Sequence, residues 1–117
     1  MEILLITSRE SKRWVIPKGW PMEGRTDYNA AKQEAFEEAG VKGRIGKMEL
    51  GHYLYAKRLN SGALGTCRTV VYPLAVEKML ASWPEKKERF RSWFDFEEAV
   101  HVLNDEGLAA ILSKFDP

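Results

Sequence analysis

Three glutamates, Glu34, Glu37 and Glu38, stand three and four residues apart just after a loop punctuated by Gly19, Pro21 and Gly24. On an α-helix, at about 100° per residue, their side chains fall within about a third of the circumference. Carboxylates that close repel one another unless a cation sits among them. A set of oxygen ligands favours a hard ion, Mg²⁺ or Mn²⁺. Such ions commonly serve phosphate chemistry. The spacing therefore predicts metal-dependent cleavage of a phosphate chain.

The plain alternative is a solvated acidic face, and two features weigh against it. Gly40 reads as the residue just past the helix end, where a left-handed conformation is needed. Glu37 and Glu38 then occupy the last turn, where the helix dipole disfavours an acid by up to about 1 kcal/mol and stability alone selects Lys or Arg. Beside them run Ala31, Ala35 and Ala39, small enough for the helix to lie close against a sheet. The acids are thus expected at the edge of a packed surface.

Residues 19–41, G-W-P-M-E-G-R-T-D-Y-N-A-A-K-Q-E-A-F-E-E-A-G-V, resemble the Nudix box, the signature of the Nudix hydrolases. The family pattern is G-x5-E-x7-R-E-U-x-E-E-x-G-U, with U aliphatic. Gly19, Glu34, Glu37, Glu38, Gly40 and Val41 fall in register, and Ala35 takes an aliphatic slot. Arg25 replaces the first box Glu and Gln33 the box Arg. Those two residues support the metal-binding helix in the family, so their joint loss implies a re-paired support. Residues 13–22, R-W-V-I-P-K-G-W-P-M, and the stretch 83–100 with Trp83, Arg89, Arg91, Trp93, Phe94 and Ala99, resemble the diphosphoinositol polyphosphate phosphohydrolases and their bacterial relatives.

The resemblance implies a metal-dependent hydrolase acting on the phosphoanhydride bonds of a highly phosphorylated small molecule, a diphosphoinositol or diadenosine polyphosphate. It implies Mg²⁺ as cofactor, with Mn²⁺ as the substitute. Glu34, Glu37 and Glu38 become metal ligands and catalytic residues, joined by the Gly19 carbonyl, with Glu37 placed to orient or deprotonate the attacking water. Arg9, Lys18, Arg68 and Arg91 become the substrate-binding cations. Two other readings stand beside this one. A Nudix-like module with an altered box could bind a nucleotide or phosphate without cleaving it. Alternatively, the substrate could be the pyrophosphate at an RNA 5′ end.

The rest of the chain must position these groups. At 117 residues, 1–117 reads as a single Nudix domain. No apolar run approaches the roughly 20 residues a membrane helix needs. The first residues lack a signal peptide's pattern, and the one cysteine, Cys67, excludes an internal disulfide. These features predict a cytoplasmic protein with no membrane partner. A net charge of +1 argues against a stable nucleic-acid partner, so anion binding must come from local clusters. Two basic groups could cradle phosphates: Arg9, Lys12 and Arg13, and Lys86, Lys87, Arg89 and Arg91.

Strands are expected over 2–8 and 13–16, then a loop over 18–25. A helix capped by Thr26 or Asp27 follows, running to Ala39. Next come strand over 41–58 broken at glycines, a hairpin loop over 60–65, and a long strand within 66–80. A polar loop over 82–88, a strand over 90–94 and helices over 95–103 and 105–115 complete the chain. This order predicts an α+β fold, a Nudix-like α/β/α sandwich with a mixed sheet. The resemblance places one more strand ahead of Glu2 in the family. Trp14, Trp93 and Phe94 are expected in the core and Trp20 packed in the box loop, with stacking on a substrate ring as its alternative. His52 and His101 read as satisfied or surface histidines, and Cys67 has no catalytic partner in the sequence. Glu77 carries only weak support as a further carboxylate.

Overall fold

The computed structural model describes residues 1–19, 24–58, 61–103 and 105–115. Trp20, Pro21 and Asn60, which carried expectations above, lie outside that set, as does the Cys67 side chain. Strand β1 (Glu2–Thr7) is followed by β2 (Trp14–Val15), helix α1 (Asp27–Ala39) and β3 (Val41–Ile45). Then come β4 (Gly51–Arg58), β5 (Leu64–Val71), β6 (Leu74–Met79), β7 (Arg91–Asp95), α2 (Phe96–Val102) and α3 (Glu106–Ser113). The α+β class expected from the element order is the one observed.

Among the described residues the strands form three hydrogen-bonded groups, β2-β1-β7, β3-β6 and β4-β5. Each of these pairings is antiparallel. The stretch 66–80 divides at Pro73, which has no N–H to continue a ladder and instead lends its carbonyl to the Gly46 N–H at 2.8 Å. Likewise 41–58 splits into β3 and β4, with the Leu50 N–H bonded to the Val71 carbonyl at 2.8 Å. Gly43 lies at the irregularity in the β3–β6 register, and a Cβ there would run into the Ala75 carbonyl.

Strand β1 is the middle layer. Successive strand residues point to opposite faces, and Leu5 and Ile6 are both fully buried. Leu5 packs with Tyr53, Ala99, Leu103, Leu108 and Leu112 on the side of α2 and α3. Ile6 packs with Ala35, Ala39 and Val41 on the side of α1. Burying two such side chains is worth about 1.5–3 kcal/mol each. The same alternation separates Phe94 from Trp93. Phe94 meets Trp14 edge-on at 4.9 Å against the first core. Trp93 was expected in the core as well, but the neighbouring residue of β7 faces the other way, and it is 39% exposed.

Candidate active site

Helix α1 begins after Thr26, whose side chain makes no capping bond, and ends at Gly40 in the left-handed conformation (φ 67°, ψ 39°). It carries no basic residue in its last turn. The unpaired carbonyls of that end are each met by a donor. The Gly40 N–H reaches the Phe36 carbonyl at 3.0 Å, and the Glu85 N–H reaches the Glu37 carbonyl at 3.0 Å. Trp83 Nε1 donates to the Glu38 carbonyl at 3.2 Å. Arg91 donates to the carbonyls of Ala39 at 2.8 Å, Gly40 at 3.1 Å and Leu80 at 2.7 Å. Its guanidinium also lies 3.9 Å from the centre of the Trp83 ring. The segment from Leu80 to Arg91 therefore braces the helix end and supplies the cation that its sequence lacks.

This brace fixes where the acids stand. Glu38 is 4% exposed, unusual for a carboxylate. Its Oε1 receives Arg89 Nη2 at 3.4 Å and the Lys18 N–H at 3.5 Å. Burial, with a hydrogen bond to the Glu34 carboxyl as the next cause, pushes the Glu38 carboxyl up to about 8, against the opposing pull of Arg89. Glu34 in turn packs on Gly19, where an added Cβ would collide with its carboxylate. The glycine is thus required by the close approach of the box loop to the helix.

Of the three acids expected to converge, the structure brings Glu34 and Glu38 together and leaves Glu37 to one side. Helical geometry explains this: residues four apart are offset by about 40°, whereas Glu37 lies about 60° from Glu34 in the other direction. Among the described residues no group of three His, Cys, Asp or Glu side chains is arranged to hold a metal ion. The pair nevertheless has the chemistry of a hard-cation site. Two carboxyl groups hydrogen-bond in a desolvated setting, and one of them holds its proton unless a positive charge replaces it.

The substrate-binding residues expected from the sequence separate into two sets. Lys18 and Arg68 line, with Gly19 and Glu34, one cavity of about 690 Å³ whose walls are otherwise mostly apolar. Arg68 is exposed and lies 3.3 Å from His52 Nδ1. Arg91 is used differently, since its donors are bound to the carbonyls at the end of α1. Arg9 stands outside the described lining and pairs with Glu88 at 3.9 Å, both half-exposed. In the second basic group Arg89 and Arg91 point inward, and Lys86 donates to the Ala81 carbonyl. Glu77 pairs with Arg44 at 3.7 Å on the surface.

Trp83 and Glu85 carry no site role in the sequence reading, and Arg89, expected in a phosphate cradle, sits on Glu38 instead. The one signal for them was the pair of uncompensated acids in the last helical turn, which called for a cation from elsewhere in the chain.

Comparison with known proteins agrees with this geometry. The NUDIX domain family matches residues 1–115. Nudix hydrolase 12, mitochondrial, of Arabidopsis thaliana is 33% identical over 118 residues, covering 98% of this chain and 58% of the relative. Diphosphoinositol polyphosphate phosphohydrolase 3-beta of Bos taurus is 37% identical over 105 residues, covering 87% of this chain and 60% of the relative. The chain thus spans little more than half the length of these relatives. A solved C. elegans Ap4A hydrolase binary complex superposes with a TM-score of 0.62 at 21% identity, over 97% of this chain and 82% of that one. At that identity the likeness speaks for the fold. With a family match over nearly its whole length and a helix, glycine loop and acid pair in register with the family's signature, the chain belongs to the NUDIX domain family.

Proposed function

We propose that this chain, acting as one catalytic unit over residues 1–117, is a divalent-cation-dependent hydrolase of phosphoanhydride bonds in a highly phosphorylated small molecule. The observation that carries the reading is the Glu34–Glu38 carboxyl pair, Glu38 buried and Glu34 beside Gly19, with Glu34 lining one cavity together with Gly19, Lys18 and Arg68. Glu34 and Glu38 would hold Mg²⁺ or Mn²⁺, with Glu37 and the Gly19 carbonyl completing the donors. When bound, such an ion neutralises phosphate charge and lowers the pKa of water.

The chain's own residues supply the rest. Lys18 and Arg68 offer positive charge to the phosphates, the arginine as a two-pronged donor. Glu37, about 60° round the helix from Glu34, would orient the attacking water or take its proton. The apolar remainder of the cavity limits bulk water around the phosphates and strengthens these charge interactions.

For the substrate, a diphosphoinositol polyphosphate is favoured by the Bos taurus relative's name, and a diadenosine polyphosphate is the other member of the class. A cytoplasmic location remains part of this proposal. Among the described residues no helix is long and apolar enough to cross a membrane, while the Arabidopsis thaliana relative is named as mitochondrial.

The test is a panel of both substrate types and a 5′-triphosphorylated RNA, each incubated in Mg²⁺ or EDTA with isotope-labelled water. Label in the released phosphate, in Mg²⁺ alone, is expected for one of the small molecules. If nothing on the panel is cleaved while one compound raises the melting temperature, the chain is a binding module. Cleavage of the RNA alone moves the substrate to RNA ends.

A further inference from the structure

The sequence lacks an arginine at position 33, where Gln33 brings no charge to the acid pair. The fold brings a guanidinium to Glu38 from elsewhere in the chain. Arg89 has a side chain only 10% exposed, and each of its three nitrogens has its own acceptor. Nε donates to Glu85 Oε1 at 2.8 Å. Nη1 donates to the Thr7 carbonyl at 3.1 Å. Nη2 lies 3.4 Å from Glu38 Oε1.

Two of these acceptors are themselves tied down. Thr7 ends β1 and is clamped to Phe90 through its own N–H at 3.0 Å and through Oγ1, which accepts the Phe90 N–H at 2.9 Å. Glu85 is held to the end of α1 by its N–H on the Glu37 carbonyl at 3.0 Å. The guanidinium plane is therefore set by the sheet on one side and the helix end on the other, and its remaining nitrogen faces Glu38.

We propose that Arg89 is a positioning residue for the cation site: anchored on Thr7 and Glu85, it holds the Glu38 carboxyl against Glu34 and so performs the support that position 33 does not provide. This rests on the reading of Glu34 and Glu38 as the cation-binding pair. A planar fork is needed for three acceptors lying in different directions, and an ammonium, a single compact charge, cannot hold all three at once. Arg89 touches neither cation nor substrate, so its removal changes how well the pair is formed rather than how substrate is gripped.

The experiment compares wild type, Arg89→Met, Arg89→Lys and the surface control Arg44→Ala. Mn²⁺ binding without substrate is measured by calorimetry and by electron paramagnetic resonance, kcat and KM are measured on the panel substrate, and folding is checked by circular dichroism. Arg89→Met is expected to fold, to bind Mn²⁺ ~10–100-fold more weakly and to lose kcat by a similar factor, the usual effect of removing an outer-shell partner, with KM little changed. Arg89→Lys is expected to lose several-fold in Mn²⁺ affinity, and Arg44→Ala to match wild type. Wild-type Mn²⁺ affinity in folded Arg89→Met, or a raised KM with kcat intact, overturns the proposal. If Arg89→Met does not fold, wild-type affinity in Arg89→Lys overturns it. A wild-type protein that takes up no Mn²⁺ sinks the hydrolase reading itself, and the role of Arg89 with it.

Discussion

Replacing Glu38 by Gln should make the cation-free protein more stable at high pH. The carboxyl is raised from 4.5 to about 8, and at 1.36 kcal/mol per pKa unit that shift is worth about 5 kcal/mol. The sign follows from proton linkage. Between pH 4.5 and about 8 the folded state keeps a proton on Glu38 that the unfolded chain has released, so stability falls as pH rises through that window. Below pH 4.5 the glutamate is neutral in both states and the penalty vanishes. Gln is neutral throughout and preserves the shape.

It also leaves Arg89 paired, because the shorter contact of that guanidinium, 2.8 Å, is to Glu85. Urea unfolding in EDTA, from pH 4.5 to 9, should show wild type and variant meeting at the acid end and diverging by about 1.4 kcal/mol per pH unit up to pH 8. Carboxyls remote from the Glu34–Glu38 pair titrate alike in both proteins and cancel in the difference. Adding Mg²⁺ at pH 9 should close the gap, since the cation compensates the ionised pair in wild type alone. Parallel stability curves would show that Glu38 ionises freely in the fold, and the argument for a strained, cation-seeking acid pair would fail.

The same proton appears in binding. Below pH 8 a divalent cation must displace it, so Mg²⁺ affinity should weaken by up to about tenfold per pH unit on acidification. Calorimetry in buffers of different ionisation enthalpy should count about one proton released, and a buffer-independent enthalpy would count against the assignment. Gly40→Ala should lower the melting temperature by several degrees. The left-handed conformation costs an L-residue roughly 1–2 kcal/mol, and the added Cβ meets the Trp83 ring that braces the helix end. Because that brace positions Glu38, Mn²⁺ affinity should fall with it, and a variant with unchanged affinity would separate the helix end from the site.

The acidic helix was readable because a helix writes its period into the chain. Glu34 to Gly40 carries spacing, face and stop signal within about two turns, and Thr26 and Gly40 bound the observed element. The burial of Ala35 and Ala39 was legible for the same reason: small residues at the helical repeat mark the face that meets a sheet. The strands were harder. The division of 66–80 at Pro73 has a local cause, but the antiparallel pairings of β3 with β6 and of β1 with β7 join segments far apart in the chain. Trp93 shows the limit of composition, since an aromatic in a strand takes the face that register assigns to it.

What the sequence determined by itself, then, is the acid-bearing helix of a NUDIX domain, with its acids in register, because those features depend on neighbours within a few residues. Only the tertiary structure decided that Glu38 is buried with Glu34 at its side, that this burial pushes its carboxyl up to about 8, and that Arg89 and Arg91 reach the end of the helix. Desolvation and ion pairing are properties of what surrounds a group in space. For Glu38 those surroundings come from Lys18 and Arg89, which are close in the fold and distant along the chain.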